Sequence, residues 1–234
     1  MQINEIFSSI DGEGIRTGYL TTFIRSQFCN LECSYCDTKY SWDACDNEGN
    51  KQFTVMSVEE IVQRCDELGN LRITFTGGEP LIQRDAPELV AALLDAGYEV
   101  NIETNGAVDL PTFEKKLVDI LQNDEALNNL IYTLDYKCPS SGMEDRMILS
   151  NIPFLIKGDV LKFVVGTQED LDHMKAIVDE YVPNPHTFEV FISPVWGSMD
   201  GETIVNYMKE HDMQNVRVQV QLHKIFWDVD MRGV

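Results

Sequence analysis

Short β-rich runs alternate with stretches of helical period along nearly the whole chain. The β-rich runs predict strands at residues 3–7, 20–25, 71–76, 98–103, 130–134, 161–165, 188–192 and 216–220. Between them, Ser57 and Glu60 form a capping box opening a helix that runs to about Leu68, where Gly69 supplies the stop. Asp85 and Glu88 repeat that pattern before Leu89, Val90, Leu93 and Leu94, and Gly97 ends this second helix. Further helical patterns surround Leu117, Met174 and Val205. Strand-then-helix order, with connections long enough for parallel crossovers, predicts an α/β fold on a parallel sheet or open barrel. No low-complexity linker divides the chain, and residues 1–234 read as one domain.

Composition changes this picture little, but charge narrows the partners. The chain has 234 residues, 44% hydrophobic and 24% charged, enough to bury a sizeable core. Lys plus Arg total 18 against 39 Asp plus Glu, a formal charge of -21. Such a surface repels phosphates, so neither nucleic acid nor an anionic membrane is expected as a direct partner. Residues 1–11 lack a basic stretch followed by an apolar run, and no later segment reaches membrane-spanning length. A cytoplasmic location is the expectation.

Cys29, Cys33 and Cys36 crowd three thiols into eight residues. In a reducing compartment so tight a group reads as metal binding rather than as a disulfide framework. Zinc and ferredoxin-type clusters normally take four protein ligands, so three leave one coordination position for something that is not protein. Cys45, Cys65 and Cys138 are scattered and read as partly buried apolar side chains, although Cys45 is near enough in sequence to serve as a fourth ligand.

In parallel α/β folds the reactive groups gather on loops at the carboxyl ends of the strands. The cysteine loop, Gly77-Gly78-Glu79-Pro80, Glu103-Thr104-Asn105-Gly106 and Asp135-Tyr136-Lys137 each follow an expected strand. Paired glycines let backbone approach a ligand closely, and a carboxylate beside them can hold an ammonium group. Taken alone, Gly-Gly-Glu-Pro is equally an ordinary turn with a surface glutamate.

Together these residues resemble the radical S-adenosylmethionine superfamily, in which three cysteines hold a 4Fe-4S cluster and S-adenosylmethionine chelates the fourth iron. Within it, residues 7–14 (Phe-Ser-Ser-Ile-Asp-Gly-Glu-Gly), Phe23-Ile24-Arg25, Cys36-Asp37-Thr38, Asp135-Tyr136-Lys137 and Gln221-Leu222-His223-Lys224 are similar to the 7-carboxy-7-deazaguanine synthase family over nearly the whole chain. The resemblance implies a partial (β/α) barrel, typically with six parallel strands. It also implies a magnesium-dependent conversion of 6-carboxy-5,6,7,8-tetrahydropterin to 7-carboxy-7-deazaguanine with loss of ammonia, on the route to 7-cyano-7-deazaguanine and queuosine. A 5'-deoxyadenosyl radical would start that reaction, and a flavodoxin or ferredoxin would supply the electron to a homodimeric enzyme.

Carried over residue by residue, Cys29, Cys33 and Cys36 would bind the cluster. Tyr35, Cys36, Asp37, Gly78, Glu79, Asp135, Tyr136 and Lys137 would bind S-adenosylmethionine, with Glu79 on its ammonium group. Ile10, Asp11, Gly12 and Thr76 would meet the pterin, Arg25 its carboxylate, and Thr38 would place a hydroxyl on Mg2+. His223 is either a packed histidine or a contact near the substrate.

Two departures stand out. Asp11 occupies a position where many relatives have glutamine, which removes hydrogen-bond donors. After Lys224 the chain continues to Val234, beyond the point where relatives close over the substrate. Two other readings remain, an activating enzyme for a glycyl-radical protein and a non-enzymatic iron-sulfur or zinc module, which needs a fourth protein ligand such as Cys45.

Overall fold

The computed structural model describes residues 1–183, 185, 187–229 and 231–234. In chain order its elements are β1 (Gln2–Ile10), β2 (Leu20–Ser26), β3 (Thr54–Val55), α1 (Val58–Leu68), β4 (Arg72–Gly77), α2 (Ala86–Asp95), β5 (Glu99–Thr104), α3 (Leu110–Val118), β6 (Leu130–Tyr136), β7 (Val160–Val165), α4 (Gln168–Tyr181), β8 (Glu189–Pro194), α5 (Gly201–Glu210), β9 (Val216–Val218) and α6 (His223–Phe226), with short 3-10 turns between them. Among the described residues the strands form one sheet in the order β3-β1-β2-β4-β5-β6-β7-β8-β9. From β2 to β9 every neighbour is parallel and follows in sequence order. This is the winding of a barrel that has not closed, because β3 and β9 are its two unjoined edges.

Strand pleat explains both faces of this sheet. Ile24, Ile73, Phe75, Val100, Ile102, Leu134, Leu161, Phe163 and Val165 alternate along the strands and join Ile61, Leu89, Leu93, Phe113, Leu117, Leu171 and Ile204 of the helices in one core. The intervening residues, among them Thr74, Thr76, Asn101, Glu103, Thr133, Asp135 and Lys162, face the other way into the barrel lumen. Because the connections cross over, the loops after the parallel strands all emerge at one end of that lumen.

The helix boundaries agree with their sequence signals. Ser57 accepts from Glu60 N while the Glu60 carboxylate accepts from Ser57 N, and Gly69 ends α1 at φ 73°. Four expectations need correction. β1 runs antiparallel to β2, so the sheet is not parallel throughout. The two-residue β3 adds a second antiparallel edge and is too short to show a period. The third concerns β9, which stops at Val218, two residues early. The fourth is Asp85, whose side chain does not cap α2; its carboxylate lies 3.9 Å from the amino group of Met1, and Pro87 in the first turn sets the helical backbone instead.

Candidate active site

The lumen opens at the carboxyl ends of the strands into a cavity of about 790 Å³. Cys29, Cys33 and Cys36 all line it as free thiols. The loop that carries them leaves β2 through Phe28, a non-glycine residue at φ 73°, a backbone state that an L side chain adopts only under constraint. The constraint is visible: Phe28 N donates to Ser41 O, and Glu79 N donates to Phe28 O. Gly78 passes so close that a Cβ there would lie 2.2 Å from Phe28 O, and one on Gly77 would lie 2.4 Å from Ser26 O. The paired glycines therefore let the β4 turn press against the cysteine loop.

Glu79 holds this junction rather than the cavity. It is wholly buried and absent from the cavity lining. One oxygen accepts from Leu81 N and Thr104 Oγ1, both at 3.0 Å, and the other accepts from Asn105 N at 2.7 Å. Burial pushes its carboxyl up to about 7 against these donors. Glu79 thus clips the turns after β4 and β5 together, behind the cavity wall rather than on it. Asn105 then reaches the cluster loop, donating to Asn30 Oδ1 at 2.8 Å and to Cys29 Sγ at 3.6 Å.

The three thiols suit a group wider than one ion. Among the described residues no three His, Cys, Asp or Glu side chains converge tightly enough to hold a single metal ion, yet all three sulfurs face the same cavity. Burial pushes the Cys33 thiol up to about 11 and raises Cys29 as well, so a metal group must displace their protons on binding. Cys45 is exposed and does not line the cavity, which removes it as a fourth leg and corrects its reading as a buried apolar side chain. Cys65 and Cys138 are core residues, as expected.

Beyond the thiols, the charged lumen residues pair across strands. Asp135 Oδ2 lies 3.1 Å from both Lys137 Nζ and Lys162 Nζ, and Lys162 also meets Glu13 at 3.2 Å. Burial opposes ionisation of Asp135, but the two lysines outweigh it and hold the carboxyl below its usual range. Its Oδ1 is buried without a hydrogen-bond partner, an acceptor position that a donor group of a bound ligand would satisfy. Tyr136 points to the opposite face, where its hydroxyl donates to Glu144 and its ring packs on Phe163. Strand parity puts it there: if Asp135 faces the lumen, Tyr136 cannot. Tyr35 lines the cavity and donates to Val164 O at 3.4 Å.

At the other side of the cavity, Ile10, Asp11 and Gly12 line the wall with Arg25 and Thr76. Asp11 accepts from Thr74 Oγ1 at 3.0 Å and lies 3.5 Å from Arg16 Nε. Burial and the nearby Glu103 push its carboxyl up to about 7 despite Arg16. Thr76 donates to Glu103 at 2.9 Å. Arg25 donates its Nε to Glu5 at 2.7 Å, so the guanidinium is a half-buried cavity group and not a surface ion pair.

The last segment of the chain completes the wall. Leu222 N donates to Gly12 O at 3.2 Å, and a Cβ on Gly12 would meet His223 Nδ1 at 2.9 Å. Lys224 Nζ lies 2.9 Å from Asp37, whose carboxyl it holds below the usual range against the effect of burial. His223 lines the cavity, its basicity lowered chiefly by burial. Residues 231–234 line the mouth as well, with the Arg232 guanidinium 3.6 Å from the Tyr40 ring centre. The Thr38 hydroxyl accepts no bond from the turn that follows it; its carbonyl accepts from Ser41, while its hydroxyl lies 3.6 Å from Cys36 Sγ. That leaves the hydroxyl in the cavity.

Sequence reasoning named most of these residues but missed Glu13, Arg16, Glu103 and Lys162 as site groups. Lys162 carried a signal, being the one charge in the otherwise apolar run Val160–Val165. Glu103 and Asn101 likewise interrupt the apolar positions of β5 at period two.

Residues 23–131 match the model of the Radical SAM superfamily. The chain is 42% identical over its full length to a 7-carboxy-7-deazaguanine synthase of Clostridium acetobutylicum, of which it covers 99%. It is 38% identical over 96% of its length to one of Methanospirillum hungatei, covering 84% of that protein. Among solved structures, QueE from Escherichia coli superposes with a TM-score of 0.69 at 21% identity, over 93% of this chain and 92% of that one. The last likeness supports the radical SAM fold.

Proposed function

Because the chain belongs to the 7-carboxy-7-deazaguanine synthase family, we propose that its cavity converts 6-carboxy-5,6,7,8-tetrahydropterin to 7-carboxy-7-deazaguanine with loss of ammonia. The observation that carries this reading is the convergence of the three thiols, Asp11, Arg25 and the segment of residues 221–224 on one cavity. When bound on Cys29, Cys33 and Cys36, a 4Fe-4S cluster with S-adenosylmethionine supplies the electron and the hydrogen-abstracting radical.

The protein's part is to bind, orient and shield. Gly78 and Tyr35 form the wall beside the thiols, and Asp135, kept ionised by Lys137 and Lys162, offers Oδ1 to a donor on S-adenosylmethionine. Asp37, braced by Lys224, faces the same volume. Arg25, steered by Glu5, sets its planar fork against the substrate carboxylate. Thr76 and Glu103 meet the pterin edge beside Asp11, whose Oδ atoms exchange a proton near neutral pH and so can return or accept one during ammonia loss. The Thr38 hydroxyl is one oxygen ligand for Mg2+, with substrate oxygens completing the shell. The single nine-stranded sheet supports treating residues 1–234 as one domain. A flavodoxin or ferredoxin as electron donor and a homodimer complete the proposal.

Anaerobic reconstitution with iron and sulfide, followed by reductant, S-adenosylmethionine, Mg2+ and the pterin, tests it by mass spectrometry. Product of the expected mass with ammonia release is the outcome that supports the reading. A reconstituted cluster that responds to S-adenosylmethionine but leaves the pterin unchanged would overturn the substrate assignment, and activity indifferent to chelation would remove Mg2+.

A further inference from the structure

We propose that Asp170, at the start of α4 and outside the cavity, is a positioning residue for the loop between Cys33 and Cys36. Asp170 is wholly buried, and its carboxylate gathers two loops at once. Ser140 donates through N at 2.8 Å and through Oγ at 2.6 Å; Gly166 N donates at 2.7 Å and Thr167 N at 3.1 Å. The Thr167 contact belongs to the capping box of α4, and a helix cap alone needs nothing from Ser140. The turn at Pro139–Ser141 is therefore fastened to α4 by two hydrogen bonds that the helix does not require.

What this turn holds is the middle of the cysteine stretch. Ser34 donates its Oγ to Ser140 O at 2.6 Å and its N to Ser141 O at 3.0 Å. Ser34 itself is exposed, so no packing fixes it and these two bonds are its anchor. A line of hydrogen bonds runs from Asp170 through Ser140 to Ser34, the residue directly after Cys33 and two before Cys36. The donors on charged Asp170 make the upstream end strong, and supporting groups behind ligands govern how firmly a metal group is held. The turn also follows Lys137 and Cys138 after β6, so the same anchor fixes the exit of the strand that carries Asp135.

This inference rests on Cys29, Cys33 and Cys36 being the legs of a cluster, and the experiment separates the two. Wild type, Asp170→Asn, Ser34→Ala, the double variant and Asp200→Asn are reconstituted anaerobically. Asp200 caps α5 through Thr203 N at 2.8 Å and touches neither loop, so it controls for the loss of a cap. Iron release to a chelator and the electron paramagnetic resonance spectrum of the reduced cluster, with and without S-adenosylmethionine, are read beside thermal unfolding of the iron-free proteins. Asp170→Asn should release iron about 10-fold faster than wild type and alter the spectrum seen with S-adenosylmethionine. Ser34→Ala should act in the same direction, and the double variant should go little beyond the stronger single one, because both cut one line. Asp200→Asn should lower the unfolding temperature and leave iron release alone. If Asp170→Asn does not fold, Ser140→Ala, which keeps the cap contacts of Asp170, carries the test with the same expected direction. Iron release and spectra matching wild type in the variants, or effects of Asp170→Asn and Ser34→Ala that simply add, would overturn the proposal. A wild type that binds no iron would instead overturn the cluster reading itself.

Discussion

The two faces of the parallel strands are both largely buried and chemically opposite. On the outer face Ile73, Phe75, Val100, Ile102, Leu161 and Phe163 have no exposed surface; on the inner face Thr74, Asn101, Thr133 and Lys162 are also buried. Burial by itself therefore does not distinguish core from site. The outer residues gain free energy roughly in proportion to apolar area removed from water. The inner ones lose hydration and recover it only through their pairs, so their net contribution to stability is small or negative. Successive residues of one strand thus serve different ends, stability on one side and chemistry on the other.

The hardest test of that division is Cys33→Ala. It should abolish turnover and iron binding, while the iron-free variant unfolds within about 1 kcal/mol of iron-free wild type, a modest effect for so small a truncation. Urea unfolding and iron analysis check both halves, and retained product formation would remove Cys33 from the ligand set. Next is Phe75→Ala on the outer face, which should cost about 3–5 kcal/mol, a large share of the stability of a domain. Cysteine geometry would be untouched, so any variant that stays folded should still take up iron; the urea midpoint gives the size.

Arg25→Lys probes the inner face without emptying it. Losing the planar fork should weaken pterin binding by about 1.5–3 kcal/mol, roughly 10-fold or more, and leave S-adenosylmethionine binding closer to wild type. Calorimetric titration of each ligand separates the two, and an unchanged pterin affinity would place Arg25 outside the substrate contact.

The pH dependence that Asp11 confers is the most diagnostic test. The Asp11 carboxyl is held near 7 in the folded chain, against an ordinary value of 3.8, by burial and by Glu103. Between those values only the folded chain keeps the proton, so this group contributes stability that is full at low pH and lost as pH rises through about 7. Asp11→Asn cannot titrate. Relative to the variant, wild type should thus lose stability between about pH 4 and about pH 7. Glu79 and Glu103 shift in the same direction and are present in both proteins, so the difference reports Asp11 together with its repulsion from Glu103. Parallel curves for the two proteins would show that the lumen does not penalise this charge.

The βα rhythm is legible where a helix announces itself locally, as Ser57, Glu60 and Gly69 do for α1, whereas the Asp85 signal for α2 is not made. The antiparallel β1 was not legible, since strand direction depends on partners far along the chain. Site residues on loops were found through their motifs. Tyr136 was assigned to the cavity because it sits inside a motif, although the two-residue period already sent it outward. For Glu79 nothing local reveals that Leu81, Thr104 and Asn105 all donate to its carboxylate, since they follow from the fold of two separate turns. Lys162 was readable as a misplaced charge in β7, but its partners Glu13 and Asp135 come from distant elements.

The junction between the first and last motifs ties two distant segments of the chain into one cavity wall. Gly14 N donates to Gln219 Oε1 at 2.7 Å across 205 residues, and Leu222 meets Gly12 nearby. Joining positions so far apart costs more loop-closure entropy than joining neighbours, although the cost grows only logarithmically with length. The βα units between them fold from neighbours. The wall made of residues 12–14 and 219–224 therefore depends on long-range closure, and any change that loosens either segment loosens the cavity wall with it.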